Sequence, residues 1–274
     1  MNRAKAWAAL DIGPQWIPRR RAGSGDSRAP AAQIAAARGE TDATATEERP
    51  DAVLLGRTPD TEEQAQPAAA GSGDWQVIAA DWDLLRAEAL GCSRCALSQS
   101  RRQVVFGVGD RRPDWVVVGE APGAEEDRRG EPFVGEAGQL LDAMLEAVGM
   151  SRARGVFILN VLKCRPPGNR DPAPEEVREC NRFLQAQLTL LAPRLVLAMG
   201  RFAAHTLLGT DEKIGQLRQR EHRIDIDGRP VPLVVSYHPA YLLRSPVQKR
   251  LGWQDLCRAR ALVPLSAPGD QKAR

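Results

Sequence analysis

Short, uniformly apolar runs alternate with longer mixed segments along the second half of the chain. Strands that are apolar on both faces belong to parallel sheets that helices cover on both sides. The alternation therefore predicts an α/β fold, a three-layer α/β/α arrangement with a central four-stranded parallel sheet. The predicted strands are 115–119, 156–160, 195–199 and 233–236, and the predicted helices between them are 137–148, 174–191 and 201–208.

A further helix is predicted just before the first strand. The segment from Trp75 to Ala89 has apolar side chains at helical spacing, and Gly91 is the expected helix end. The turn that follows then carries Cys92 and Cys95.

The composition divides the chain into three parts. Residues 1–74 are rich in Ala, Gly, Pro and short polar residues, and such a stretch buries too little apolar surface to offset the entropy of ordering. We therefore predict a disordered N-terminal extension over 1–74, a folded domain over 75–265 and a disordered tail over 266–274. The net charge of +3 allows a polyanionic partner without demonstrating one.

Neither a membrane segment nor a secretion signal is predicted. No apolar run approaches the ~20 residues of a membrane span, and the first residues lack an apolar core and a cleavage site. We expect a cytoplasmic protein, whose cysteines are metal ligands or free thiols rather than disulfides. Nothing in the sequence demands more than a monomer, and the abundance of Ala and Arg hints at a GC-rich bacterial genome.

Four of the five cysteines form two pairs. Two residues separate Cys92 from Cys95, and fifteen separate Cys164 from Cys180. Four thiolates bind either a zinc ion or an iron–sulfur cluster, and spacing alone does not distinguish the two. Cys257 lies outside the pattern and is most simply a core thiol.

Residues suited to binding and catalysis follow the predicted strands. In open parallel sheets the ligand site lies at the carboxyl ends of the strands, and there the sequence has the turn 119–123, then Asn160, Gly200 and His238. A glycine-rich turn presents backbone N–H groups to an anion or a polar ring, and a carboxamide offers a donor and an acceptor to a base edge. A histidine in this place is a candidate for catalysis. Each also has a structural interpretation, as a loop turn, a cap or a surface residue.

Three further segments have two interpretations each. Phe133 is either a core plug under its loop or a platform that stacks on a base. The acidic triplet 125–127 is either part of the site or simply a solvated face, and the sequence favours neither. Leu242, Leu243 and Arg244 suit a wedge between stacked bases with cations on nearby phosphates, or the start of an amphipathic helix.

Taken together, these motifs resemble the family 4 uracil-DNA glycosylases, the iron–sulfur members of the uracil-DNA glycosylase superfamily. The resemblance covers about residues 84–262, and the motifs occur in the family's order. They are Cys92-x2-Cys95, Gly119-Glu-Ala-Pro-Gly-x-x-Glu-Asp127, Gly130-x-Pro-Phe-Val-Gly135, Asn160-x-x-x-Cys-Arg-Pro-Pro167, Cys180 and His238-Pro-x-Tyr-Leu-Leu-Arg244.

The resemblance implies an enzyme that flips uracil out of DNA and hydrolyses its N-glycosidic bond, which initiates base excision repair. Its partner would be uracil-containing DNA, with no role for a membrane. The resemblance also implies a [4Fe-4S] cluster of structural rather than redox function. The implied ligands are Cys92, Cys95, Cys164 and Cys180.

Single residues acquire roles through the same resemblance. Glu120 is the candidate carboxylate for orienting the water, because Ala121 stands where better-known relatives outside family 4 carry an aspartate. Asn160 would read the polar edge of uracil, and His238 would stabilise charge on the leaving base. The other implied contacts are, to uracil, Gly119, Ala121, Pro122, Gly123 and Phe133, and, to the duplex, Leu242 as the first choice of wedge, then Leu243 and Arg244.

Two alternatives from other classes remain open. A related branch of the superfamily binds uracil-DNA covalently through a histidine in an inserted basic loop, but this chain has no histidine between Asn160 and Cys180. The second alternative is a non-catalytic nucleic-acid-binding module with a structural metal on the four cysteines. Asn160, Phe133 and His238 together, at or near predicted strand ends, are more than such a module needs.

Overall fold

Residues 81–264 are the part of the chain that the computed structural model describes. The predicted disordered segments 1–74 and 266–274, and the predicted helix start at 75–80, lie outside them. The strands are β1 (Val108–Gly109), β2 (Trp115–Gly119), β3 (Val156–Asn160), β4 (Leu195–Met199), β5 (His222–Ile226) and β6 (Arg229–Ser236). The helices are α1 (Trp82–Gly91), α2 (Leu97–Ser100), α3 (Ala124–Arg129), α4 (Glu136–Ala147), α5 (Pro174–Leu191), α6 (Arg201–Leu208), α7 (Ile214–Leu217), α8 (Pro239–Arg244) and α9 (Lys249–Leu262), with 3₁₀ turns at Pro167–Asn169 and Pro246–Gln248.

The strands form one sheet in the order β1-β3-β2-β4-β6-β5. The four inner strands are parallel, which confirms the predicted strands and their direction. Two antiparallel edge strands, β1 and β5, are present in addition to the four that the sequence predicts. β5 joins β6 through Asp227 and Gly228, whose φ angles of 54° and 74° are those of a two-residue hairpin turn.

Both faces of the sheet are buried under helices. In β2, Val116 and Val118 belong to a core cluster that includes residues of α1, α5 and α6. Trp115 and Val117 point the other way, into a second cluster with residues of α4, α8 and α9. This burial explains why the strand sequences are uniformly apolar, and it confirms the three-layer arrangement.

The helix bounds agree closely with the sequence. α5 and α6 have the predicted bounds, α4 begins and ends one residue earlier, and α1 ends at Gly91 as predicted. The carboxylate of Asp81 accepts hydrogen bonds from the backbone N–H groups of Asp83 (2.8 Å) and Leu84 (2.9 Å), which caps α1. No helix within residues 81–264 is long and apolar enough to cross a bilayer.

Candidate active site

Two residues at the carboxyl ends of neighbouring strands form the floor of the site. Gly119 ends β2 and Asn160 ends β3, and they are partners in the parallel register. Asn160 is 2% exposed, and its Oδ1 has no hydrogen-bond partner among the described residues. A Cβ on Gly119 would lie 2.3 Å from that oxygen, so only glycine leaves room for the carboxamide. An unpaired buried acceptor costs about 1–3 kcal/mol, so this oxygen is a candidate partner for a hydrogen-bond donor of a ligand.

Phe133 forms one wall of the site. Its side chain is buried, and its ring would meet a Cβ on Gly119 at 2.5 Å. Its φ of 54° is rare for a bulky residue. Arg152 fixes this conformation, because its guanidinium donates to the main-chain oxygens of Pro132 (2.8 Å) and Phe133 and pairs with Asp142 (2.8 Å). Sequence reasoning missed Arg152, since its role depends on a contact between separate loops.

His238 stacks against Phe133, with ring centroids 5.4 Å apart and an interplanar angle of 27°. The backbone N–H of Ala240 donates to its Nδ1 at 3.2 Å, so in the neutral ring the proton lies on Nε2. Burial, and secondarily the charge of Arg244, lower the pKa of His238 to about 4, against a smaller opposite effect of Glu126. The imidazole is therefore neutral near pH 7, and its Nε2–H remains available to a ligand.

Glu120 is the half-buried carboxyl of the turn after β2, followed by Ala121, which is half-buried, and Pro122, which is buried. Burial, and then the negative charge of Asp171, raise the pKa of Glu120 to about 7, while Arg201 acts in the opposite direction. Asp171 itself pairs with Arg201 at 3.0 Å. A carboxyl that titrates near neutral pH suits general acid–base work.

Glu126 joins the turn 119–123 to the loop that carries Phe133. Its carboxylate accepts hydrogen bonds from the backbone N–H groups of Gly123 (3.1 Å), Val134 (2.9 Å) and Gly135 (3.3 Å). One side chain therefore sets the spacing between the turn 119–123 and the loop that carries Phe133.

The other members of the acidic triplet behave differently from Glu126. Glu125 is exposed and pairs with Arg128 at 2.6 Å, as a solvated face requires. Asp127 is buried and accepts a hydrogen bond from the backbone N–H of Arg102 at 2.9 Å. The solvated-face interpretation thus holds for Glu125 alone, and within the triplet Glu126 is the residue that contacts the site loops.

The residues of the predicted wedge differ in exposure. Leu242 is 1% exposed and packs in the core, where a Cβ on Gly252 of α9 would lie 2.9 Å from its Cδ1. It has no free surface to insert between bases. Leu243, the second choice, is 37% exposed, and Arg244 is exposed beside it. Of the two leucines, Leu243 is therefore the one that the solvent reaches.

The four paired cysteines line one cavity, together with Arg101 and Lys163. The guanidinium of Arg101 donates to the Sγ of Cys164 at 3.0 Å and to the main-chain oxygen of Cys92 at 2.7 Å. The backbone N–H of Lys163 donates to the Sγ of Cys180 at 3.3 Å. Segments that are distant in the chain are thus brought together around a single space. The four lining cysteines are Cys92, Cys95, Cys164 and Cys180.

These donors suit a group that binds thiolates. Burial raises the pKa of the Cys164 thiol, and it raises that of Cys180 to about 12; metal coordination would ionise both. Hydrogen bonds to sulfur, as seen here, are typical around iron–sulfur ligands. In the described part of the chain, no group of three or more His, Cys, Asp or Glu side chains is arranged to hold one metal ion. Cys257, predicted to be a core thiol, is instead exposed.

Comparison with known proteins identifies a superfamily and several relatives within it. Residues 106–257 match the uracil DNA glycosylase superfamily. The chain is 42% identical to a Type-4 uracil-DNA glycosylase of Archaeoglobus fulgidus over 168 residues, which cover 60% of this chain and 83% of that protein. It is 42% identical to the Type-4 enzyme of Pyrobaculum aerophilum, with 60% and 86% covered, and 39% identical to that of Thermotoga maritima, with 63% and 89% covered.

Proposed function

Because the chain belongs to the uracil DNA glycosylase superfamily and to its Type-4 group, we propose that it flips uracil out of DNA and hydrolyses the N-glycosidic bond. The product would be an abasic site, the starting point of base excision repair. The observation that carries the proposal is the buried, unpaired Oδ1 of Asn160 beside the stacked rings of Phe133 and His238. A carboxamide that can hydrogen-bond to a base edge, next to an aromatic ring that can stack on the base, suits the binding of a flipped-out base.

Recognition of uracil would rest on Asn160 and Phe133. Uracil presents an N3–H donor beside the O4 acceptor, so Oδ1 would accept from the ring and the amide nitrogen would donate to O4. Cytosine presents the reverse pattern, and a carboxamide held in one orientation rejects it. Stacking on Phe133 would add about 1–3 kcal/mol. The turn 119–123 is our candidate for excluding the methyl group of thymine.

His238 would act on the leaving base. When the bond between the base nitrogen and the sugar breaks, its electron pair stays on uracil, whose oxygens become anionic. The Nε2–H of a neutral imidazole would donate a hydrogen bond to one of these oxygens. This hydrogen bond would strengthen as negative charge develops on the oxygen. Removal of one such donor from an active site typically costs 10²–10³ in rate, on the order of what we expect here.

Water would complete the reaction without a covalent intermediate. It would add to the electron-deficient sugar carbon and lose its proton to a nearby base. Glu120 is our candidate for this role, because its raised pKa places its titration near neutral pH. Ala121, which follows it, has no group that could take the proton.

The four-cysteine site would hold a [4Fe-4S] cluster that fixes the loops around the base pocket. A zinc ion draws four sulfurs to within about 4 Å of one another, since each Zn–S bond is about 2.3 Å. A cluster of four irons and four sulfides is wider, and it holds its cysteines farther apart. The donor set, with N–H groups of Arg101 and Lys163 on two of the sulfurs, supports such a cluster. Its contribution would be to structure, with no step of the reaction passing through it.

Uracil release from a labelled oligonucleotide tests the proposal, with protein purified without air. We expect free uracil and an alkali-labile abasic site from the wild type. Asn160→Ala should lower the rate roughly 100-fold or more, because the base edge is left unread. Asn181→Ala, in α5, is the matched control and should leave the rate unchanged. A visible absorption band that chelation removes would identify the cluster, since zinc gives none.

Two other outcomes correspond to the alternative functions. DNA binding without uracil release would contradict the enzymatic proposal and favour a nucleic-acid-binding module. A protein–DNA adduct that survives SDS would identify a covalent uracil-DNA binder.

A further inference from the structure

Lys163 contacts both sites of the molecule. Its side chain is 1% exposed, and its Nζ donates to the main-chain oxygen of Asn160 at 2.6 Å. Its backbone N–H donates to the Sγ of Cys180, and Cys164 is the next residue in the chain. A single lysine thus lies between the side chain that would read the base and the cysteines that would hold the cluster.

Lys163 reaches the two sites through different atoms. Its buried Nζ has a hydrogen-bond partner in the main-chain oxygen of Asn160. Its backbone N–H has a partner in the Sγ of Cys180. The guanidinium of Arg101 contacts the same group of cysteines through the Sγ of Cys164. The backbone of Lys163 is therefore tied to the cysteines, and its side chain is tied to the backbone of Asn160.

We propose that Lys163 is a positioning residue that couples the four-cysteine site to base reading by Asn160. The inference rests on the proposed function, and it adds a residue for which the glycosylase reaction itself has no chemical need. The Nζ of Lys163 would hold the Asn160 peptide in place, while the Sγ of Cys180 holds the backbone of Lys163. Loss of either contact would let the carboxamide turn away from the orientation that selects uracil.

The structure explains why the coupling would be specific to Asn160. The rest of the turn is tied to β2, because the N–H of Val161 donates to the oxygen of Gly119 (2.9 Å) and that of Leu162 donates to the oxygen of Glu120 (3.0 Å). The main-chain oxygen of Asn160 is the atom of this turn that Lys163 holds. The side chain of Asn160 has no internal hydrogen bond at Oδ1 to fix it, so its orientation depends on its backbone.

A double-mutant cycle tests the proposal, with binding as the readout. Duplexes would contain either 2′-fluoro-2′-deoxyuridine, which resists hydrolysis, or a tetrahydrofuran abasic analogue. We expect Lys163→Met to weaken binding of the fluorinated uracil duplex about tenfold, the scale of one hydrogen bond to a charged group. Binding of the abasic duplex should be unchanged. In an Asn160→Ala background, Lys163→Met should have no further effect, because the group that it positions is gone.

Arg101→Met is the matched control. It removes a cation from the same four-cysteine site without touching Asn160, so its effect on uracil binding should be the same with and without Asn160→Ala. Cluster absorbance and the reduction potential, recorded for each variant, show whether the centre has kept its ligands and lost a neighbouring charge. Equal and additive effects of Lys163→Met and Arg101→Met would overturn the coupling and leave Lys163 as a stabilising residue.

If Lys163→Met does not fold, Lys163→Gln takes its place in the experiment, because glutamine keeps an N–H donor where the ammonium was. If both variants fail to fold or to acquire the cluster, Lys163 is a structural residue and the proposal is wrong. A wild-type protein that neither binds nor cleaves uracil-containing DNA contradicts the proposed function itself. Normal wild-type activity with additive variants contradicts only the role of Lys163.

Discussion

The backbone N–H of Ala240 donates a hydrogen bond to Nδ1 of His238, across 3.2 Å. A backbone N–H is always a donor, so this contact requires an unprotonated Nδ1 and leaves the ring proton on Nε2. The tautomer of a catalytic candidate is thereby set by the first turn of α8, which begins immediately after it. The same contact opposes protonation of the ring, because a doubly protonated imidazole would present N–H to N–H.

From this relationship we expect no histidine inflection near pH 6.5 in the rate of uracil release. The pKa of His238 is lowered to about 4, chiefly by burial, so the donor form is constant at neutral pH. His238→Ala should lower the single-turnover rate by about 10²–10³, the usual cost of one donor to a developing oxyanion. Rates measured from pH 5 to pH 9 check both statements. An inflection at pH 6–7 that disappears only in the His238 variant would contradict the assigned tautomer and charge.

The same shift predicts a stability effect of defined sign. A histidine whose pKa falls on folding binds more protons when unfolded, so it contributes stability above pH 6.5 and loses it as the pH falls towards 4. His238→Gln, which has no such titration, should show a smaller drop in melting temperature between pH 6.5 and pH 4.5 than the wild type. Thermal unfolding at several pH values is the measurement. Parallel curves for the two proteins would refute it.

Glu120 should set the acid limb of the rate profile. Its pKa is raised to about 7, chiefly by burial, so the ionised base forms as the pH rises through 7. Glu120→Gln should lower the rate by about 10²–10⁴ and abolish the limb. Glu125→Gln, five positions along in the same motif and exposed, should change neither. A limb that survives in the Glu120 variant would assign the water to another group.

The central strands were predictable because burial on both faces leaves few sequence choices. The edges were not, for two physical reasons. β1 has only two residues, and the exposed positions of β5 alternate with half-buried ones, so neither gives a long apolar run. The hairpin between β5 and β6 did carry a signal, since Asp227-Gly228 is the pair that such a turn prefers.

The site was predictable where the fold places residues by strand direction alone. Asn160 ends one strand and His238 follows another, so the carboxyl-end rule brings them to one edge of the sheet. Glu126 and Arg152 instead contact segments that come close to them only in the folded chain. Sequence spacing carries no direct record of such contacts.

Substitution of Glu126 should lower both the stability of the protein and the rate of uracil release. Its carboxylate accepts three backbone hydrogen bonds from two loops, and a glutamine offers one oxygen where the carboxylate offers two. We expect Glu126→Gln to lose about 1–3 kcal/mol in the free energy of unfolding, because at least one partly buried N–H is left unpaired. The rate of uracil release should fall roughly tenfold or more as Phe133 loses its spacing from the turn. Urea unfolding and single-turnover kinetics measure the two effects, and Glu125→Gln serves again as the control. A Glu126 variant with normal stability and a normal rate would show that Glu126 does not set the spacing between the two loops.

Substitutions of Leu242 and Leu243 should have different effects, the first on folding and the second on DNA binding. One residue turns an α-helix by about 100°, which places Leu242 in the core and leaves Leu243 37% exposed. Leu242→Ala should therefore cost about 2–5 kcal/mol of stability, as is usual for a buried leucine. Leu243→Ala should leave the melting temperature within a degree or so while it slows uracil release from duplex more than from single-stranded DNA, because only the duplex requires a wedge.

Thermal unfolding and a comparison of rates on the two substrates measure these effects. Val247→Ala is the matched control for Leu243, since Val247 is 87% exposed on the neighbouring 3₁₀ turn. Equal slowing on both substrates would show that Leu243 contacts DNA without entering the stack. A loss of stability in Leu243→Ala comparable with that in Leu242→Ala would contradict the assignment of the two faces, because the exposed leucine has little apolar contact to lose.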